Sequence, residues 1–355
     1  MGVYTEKVQK APLALSPDDV LLVPGPSRVR LDEIDTSTRV TKSIKIEIPV
    51  LSSPMDTVTE LDMALALGKM GGLGVLHRNM AVEDAVSAIE TLKGEGLAAA
   101  AAVGVRDYEK ASRLVDAGVD ILVIDAAHGH HINVIEATRR FKRDFDVEIM
   151  SGNVVTGEGA EGLIQAGADS LRVGLGSGHA CTTREITGVG VPLLTAVAWV
   201  SDVASLYGVP VVADGGIEKP GDIAKVIAAG ADAVMLGYLL AGTDEAPGRV
   251  IEVGGKKYKL YRGMGSRGAL ARGSQRYGEF KRVPEGVEGY VEYRGPVEDV
   301  VSTLVNALKQ SMGYLGVRSI AELKEKARFV RITPAGIFES RPRGLAFLEG
   351  DTRWR

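Results

Sequence analysis

The sequence predicts an α/β protein folded as a (β/α)8 TIM barrel, and three observations carry that reading. Eight short apolar runs recur along the 355 residues, each ending in a small polar or turn residue and followed by a helix-like stretch. The runs are continuously rather than alternately apolar, as parallel strands are when helices cover both faces of their sheet. Finally, all five histidines (His77, His128, His130, His131, His179) and the single cysteine, Cys181, fall just after one of these runs. In such a barrel the loops that follow the strands form the active face.

In chain order the expected strands are "PVLSS" (49–53), "LGVLH" (73–77), "AAAAAVG" (98–104), "DILVID" (120–125), "VEIMSGN" (147–153), "DSLRVG" (169–174), "VPVVADGG" (209–216) and "DAVMLG" (232–237). Helical stretches between them include 109–118, 159–168 and 220–231, and several close on Ala-Gly, a helix C-cap signal. A doubly wound sheet also alternates strand and helix, so the count supports the barrel without excluding that alternative. Three pieces are left over: an N-terminal arm (1–45), a Gly/Arg-rich insertion (252–295) and a C-terminal extension (296–355). The insertion is long for a loop and is expected to be a functional flap. The stretch "TLKGEGL" (91–97) reads as a short polar link.

Composition narrows the function. Hydrophobic residues make up 45% of the chain, ample for a large core, and residues 1–355 are expected to form a single catalytic domain. A net charge of −4 leaves no basic footprint for nucleic acid. No apolar run is long enough to span a bilayer, and the N-terminus lacks the apolar core of a signal peptide. One cysteine forms no internal disulfide, which suits a reducing cytoplasm. Within "GLGSGHACTTR" (174–184), that cysteine sits among glycines that let backbone approach a ligand closely, and aligned N–H groups or nearby cations there would give it thiolate character. Taken alone it is as readily a small, half-buried residue of no consequence.

The motifs "IPVLSSPMDTVTE", "AHGH", "GNVVT", "GLGSGHACTTREITGVGVP", "VVADGGI", "VMLGYLLAGTDEAPG", "YRGMGS" and "VPEGVEG", taken in this order, resemble the IMP dehydrogenase / GMP reductase family from about residue 14 to 340. The resemblance implies a barrel enzyme, usually a homotetramer, that acts at C2 of a purine nucleotide with a nicotinamide cofactor. It is nearest to the dehydrogenase: NAD-dependent oxidation of IMP to XMP. The regulatory CBS modules of that family would enter near 91–97, where this chain runs straight from helix to strand, so they are expected to be absent.

By the same resemblance Cys181 is the nucleophile that adds to C2, with Thr183 and Glu285 as a proton relay. Arg276 and Tyr277 of "GSQRYGEF" are the flap pair that activates water. Ser53, Met55, Asn153, Met264 and Gly265 line the base pocket, and Asp214 binds the ribose hydroxyls. Asp125 and Gly174 face the cofactor, Asp125 at its ribose. The backbone carbonyls of Gly176, Gly178 and Cys181 hold a potassium ion.

Three positions depart from the family pattern. His179 stands where a phosphate-binding serine is usual, and Tyr238 follows Gly237 where a second is expected. His131 of "HGHH" replaces a small polar residue, and the flap from Arg276 to Glu285 is short. One reading keeps the phosphate on the backbone N–H groups of Gly215, Gly216 and Gly237 with Tyr261, helped by His179 and Tyr238. The other has the two larger side chains fill the phosphate site, so that the substrate is altered or unphosphorylated. The imidazoles of "HGHH" lack a carboxylate partner for zinc, and the resemblance accounts for "AHGH" without metal. GMP reductase, which uses the same Cys, Thr and Glu to release ammonia from GMP with NADPH, is the enzymatic rival. A nucleotide-binding protein that has lost catalysis is the non-enzymatic one.

Overall fold

The structure, a computed structural model, describes residues 3–271 and 283–344. Each expected run forms a strand, and eight strand–helix pairs follow in order. They are β1 (Val50–Ser52) with α1 (Leu61–Lys69), β2 (Leu73–Leu76) with α2 (Val82–Gly94), and β3 (Ala100–Val103) with α3 (Tyr108–Asp116). Next come β4 (Ile121–Asp125) with α4 (Ile132–Asp144), β5 (Glu148–Val154) with α5 (Gly157–Gln165), and β6 (Ser170–Val173) with α6 (Leu193–Leu206). Last are β7 (Val211–Asp214) with α7 (Pro220–Ala228) and β8 (Ala233–Leu236) with α8 (Val297–Leu315). All strand pairs are parallel, and Val234 of β8 pairs with Val50 of β1, so the sheet closes on itself. Closure excludes the open, doubly wound alternative.

The near-continuous apolar strands resolve into two faces. Val75, Ala100, Ala102, Ile121 and Val123 point into the barrel, whereas Leu76, Ala101, Val103, Leu122 and Ile124 point out toward the helices. Successive side chains of a strand alternate sides, so both faces of the sheet must be apolar for both layers to pack. At the N-terminal mouth of the barrel, Val40 and Ile46 of a small hairpin join the interior cluster. The N-terminal arm and the C-terminal extension meet where Val20–Leu22 pairs antiparallel with Phe329–Arg331. Between α2 and β3 only five residues intervene, 95–99.

Two expectations for the leftover pieces are corrected. The stretch expected as a loop insertion carries an antiparallel sheet: β9 (Ile251–Val253), β10 (Lys256–Arg262) and β11 (Glu288–Glu292). The β9–β10 turn is Gly254–Gly255, with φ of 62° and 78°, the conformation a two-residue hairpin demands. Lys259 of β10 is buried, and its ammonium donates to the carbonyls of Thr243 (2.9 Å), Asp244 (3.2 Å) and Ala246. The piece expected as a C-terminal extension begins with α8, the eighth helix of the barrel, because the sheet insertion separates it in sequence from β8.

Candidate active site

The loops at the C-terminal ends of the strands enclose a pocket, and most of the expected site residues line it: Ser53, Met55, Asn153, Gly174, Gly176, Gly178, His179, Cys181, Thr183, Asp214, Gly215, Gly216, Gly237, Tyr238, Tyr261, Met264, Gly265 and Glu285. They come from the loops after β1, β5, β6, β7 and β8 and from the insertion. Asp125 does not line it, and Arg276 and Tyr277 lie outside the described residues.

The cysteine loop follows β6 and ends in a short helix, Thr183–Thr187. The Cys181 thiol donates to the Thr183 hydroxyl at 3.2 Å, and that hydroxyl donates to the Glu285 carboxylate at 2.8 Å. Thr183 is buried, so the line is shielded along its middle. Backbone pairing fixes it. The Thr182 N–H donates to the Glu285 carbonyl (3.2 Å) and the Val287 N–H to the Ala180 carbonyl (3.0 Å), strapping the cysteine loop to the base of the insertion. Gly263 follows β10 where a Cβ would stand 2.4 Å from the Ala180 carbonyl oxygen, so this close approach requires glycine.

Asp214 ends β7 in the middle of the pocket, and its Oδ2 accepts from Asn153 Nδ2 (2.8 Å) and from Arg172 Nε (2.9 Å). Arg172 was not anticipated from the sequence. It is an inward-facing residue of β6, fully buried, and its other arm donates to Asp125 Oδ1 at 2.8 Å. A guanidinium suits this place because its fixed fork reaches two carboxylates at once. The signal was a lone charge inside an apolar strand, which demands a counter-charge. Asp125 is wholly buried beside the pocket floor, its carboxylate on the Arg172 guanidinium. Asn153 is buried with its Oδ1 unpartnered, an acceptor awaiting an N–H or O–H donor.

Ser53 is buried under the pocket, and the Tyr261 hydroxyl lies 4.0 Å from Met55 Sδ. Burial, with the Asp214 charge adding to it, pushes the Tyr261 phenol well above its usual range and keeps it protonated. A Cβ on Gly237 would sit 3.1 Å from Met55 Sδ and 3.2 Å from the Tyr261 oxygen, so a side chain there requires these two neighbours to give way. Gly215 and Gly216 have φ of 81° and 70°, a left-handed turn that glycine adopts without strain.

The two unusual residues meet. The His179 imidazole stacks on the Tyr238 ring with centroids 3.9 Å apart and planes 8° apart. The guanidinium of Arg294 lies over the same tyrosine, 5.0 Å from its centroid, and His179 Nε2 is 3.3 Å from Glu218 Oε1. Burial lowers the His179 pKa, and the Glu218 carboxylate opposes that shift. In "HGHH", His131 caps α4 by accepting from the Asn133 N–H at 3.1 Å, and the His128 and His130 rings meet edge to face at 6.3 Å. Among the described residues no three His, Cys, Asp or Glu side chains are grouped to hold a metal ion, and no helix is long and apolar enough to cross a membrane.

A family model for the IMP dehydrogenase / GMP reductase domain matches residues 14–343. Relatives named inosine-5'-monophosphate dehydrogenase include one from Cryptosporidium parvum, 42% identical over 91% of this chain and 93% of its own. One from Borreliella burgdorferi is 40% identical (93% and 96%), and one from Methanocaldococcus jannaschii 38% identical (97% of each). With a matching model over most of its length and such relatives at this identity, the chain belongs to the IMP dehydrogenase / GMP reductase family.

Proposed function

We propose that this protein oxidises IMP to XMP with NAD, in guanine nucleotide synthesis, through a covalent intermediate on Cys181. The observation that carries the reading is the hydrogen-bonded line from Cys181 through Thr183 to Glu285, at one end of a pocket with Asp214 in its middle. The thiol proton passes to Thr183 as the threonine proton passes to Glu285, and the thiolate adds to C2 of the hypoxanthine ring. The C2 hydrogen leaves with its electron pair. A bound nicotinamide supplies the acceptor for that hydride. Water then attacks the Cys181-linked thioimidate, and the departing sulfur regains a proton along the same line. Overall, IMP, NAD and water give XMP, NADH and a proton. Splitting the oxidation into addition and hydrolysis replaces one hard step with two easier ones.

Arg276 and Tyr277 are the proposed water-activating pair. A free guanidinium is a weak base, so the site has to assist it. Asp214, braced by Arg172 and Asn153, is the ribose-diol acceptor, with Ser53, Met55, Met264 and Gly265 around the base. The unpartnered Oδ1 of Asn153 fits a cofactor or substrate donor, and Gly174, which lines the same pocket, is the proposed cofactor contact. The carbonyls of Gly176, Gly178 and Cys181 are hard oxygen donors without carboxylate charge, which suits potassium. We further propose a cytoplasmic homotetramer of single-domain subunits without CBS modules.

The test is NADH formation by the purified full chain with IMP, NAD and potassium, with Cys181→Ala as control. Turnover lost in the variant supports the reading. NADPH-dependent conversion of GMP, with none of IMP, would replace it with the reductase.

A further inference from the structure

The pocket that holds Cys181 and Asp214 is also lined by Gly215, Gly216 and Gly237, the glycines expected beside a substrate's 5' group. His179 and Tyr238, stacked on each other, line the same pocket. Rings 3.9 Å apart with nearly parallel planes are in van der Waals contact, so no group enters between them. The Arg294 guanidinium is engaged over the Tyr238 ring, 5.0 Å from its centroid. Behind His179 stands the Glu218 carboxylate. A 5'-substituent therefore meets aromatic surface and backbone N–H groups, with a negative charge one residue away. An uncharged hydroxymethyl group carries no charge to set against Glu218, whereas a phosphate dianion beside His179 lies near that carboxylate.

We infer that this enzyme has a second activity: it oxidises the unphosphorylated purine nucleoside, inosine, as well as its 5'-monophosphate, because the His179–Tyr238 stack occupies space that the phosphate would use. The inference rests on the proposed chemistry at Cys181 and uses the same balance: nucleoside, NAD and water give the 2-oxo nucleoside, NADH and a proton.

The experiment compares kcat/KM for IMP and inosine in the wild-type full chain and in His179→Ser/Tyr238→Ser, with Cys181→Ala as background. A site that grips a phosphate with several charge-assisted hydrogen bonds loses about 10³-fold or more when the phosphate is removed. Here the wild-type gap is expected below about 10²-fold, and the double variant, with its 5' end opened, widens it at least about tenfold in favour of IMP. Turnover of IMP with none of inosine above background overturns the inference and leaves the proposed function standing. Turnover of neither substrate overturns both. The wild-type comparison decides the matter even where the double variant fails to fold.

Discussion

Replacing Arg172 with methionine should destabilise the protein more than any exposed change. The side chain is fully buried, and its two arms hold Asp125 at 2.8 Å and Asp214 at 2.9 Å. Methionine fills much of the volume but leaves both carboxylates without the guanidinium between them. Breaking a buried pair by removing one partner costs about 3–5 kcal/mol, because the remaining charge keeps its desolvation penalty. At a few degrees per kcal/mol, the melting temperature should fall by on the order of 10 °C. The assay is urea unfolding followed by circular dichroism, run on Arg172→Met, Asp125→Leu and the double variant. Replacing a whole buried pair by apolar groups is often nearly neutral, so the double variant should recover part of the loss. A loss below about 1 kcal/mol in Arg172→Met, or strict additivity in the double variant, would refute the reasoning.

Two further expectations follow from the site. Thr183→Val and Glu285→Gln each interrupt the proton line from Cys181, so each should lower kcat about 10²–10⁴-fold with little change in melting temperature. Steady-state assays and thermal melts of the two variants together check it. Tyr261, buried with its phenol pushed above the usual range, contributes stability that is present below pH 10 and lost as pH rises past it, because the unfolded chain ionises first. Wild type should lose about 1.4 kcal/mol per pH unit above 10, and Tyr261→Phe should lose less; unfolding at pH 9 and pH 11 measures the difference.

The barrel was legible because parallel strands covered on both sides leave long apolar words in the chain, and each was read within a few residues of its place. The site was legible where a loop carries chemistry on adjacent residues, as around Cys181. What escaped depends on pairing across distance. Arg172 and Asp125 lie 47 positions apart, and only the barrel brings their charges together. The sheet of the insertion was hidden because two of its strands, β10 and β11, are separated by 25 residues, and "VGGK" alone was too short a hairpin signal. Helix α8 was read as a tail for the same reason: its strand partner ends some 60 residues earlier.

The strap between the cysteine loop and the insertion has an evolutionary consequence. On one side, Gly263 N–H donates to the Val287 carbonyl at 3.0 Å; on the other, Val287 and Thr182 tie the same segment to the nucleophile. The ends of the intervening stretch are thus pinned close together by backbone alone, whatever its side chains. These bonds use main-chain atoms only, so the strap survives substitution of the side chains at Thr182 and Val287. Natural selection can therefore exchange those flanking side chains without recalibrating the position of the thiol.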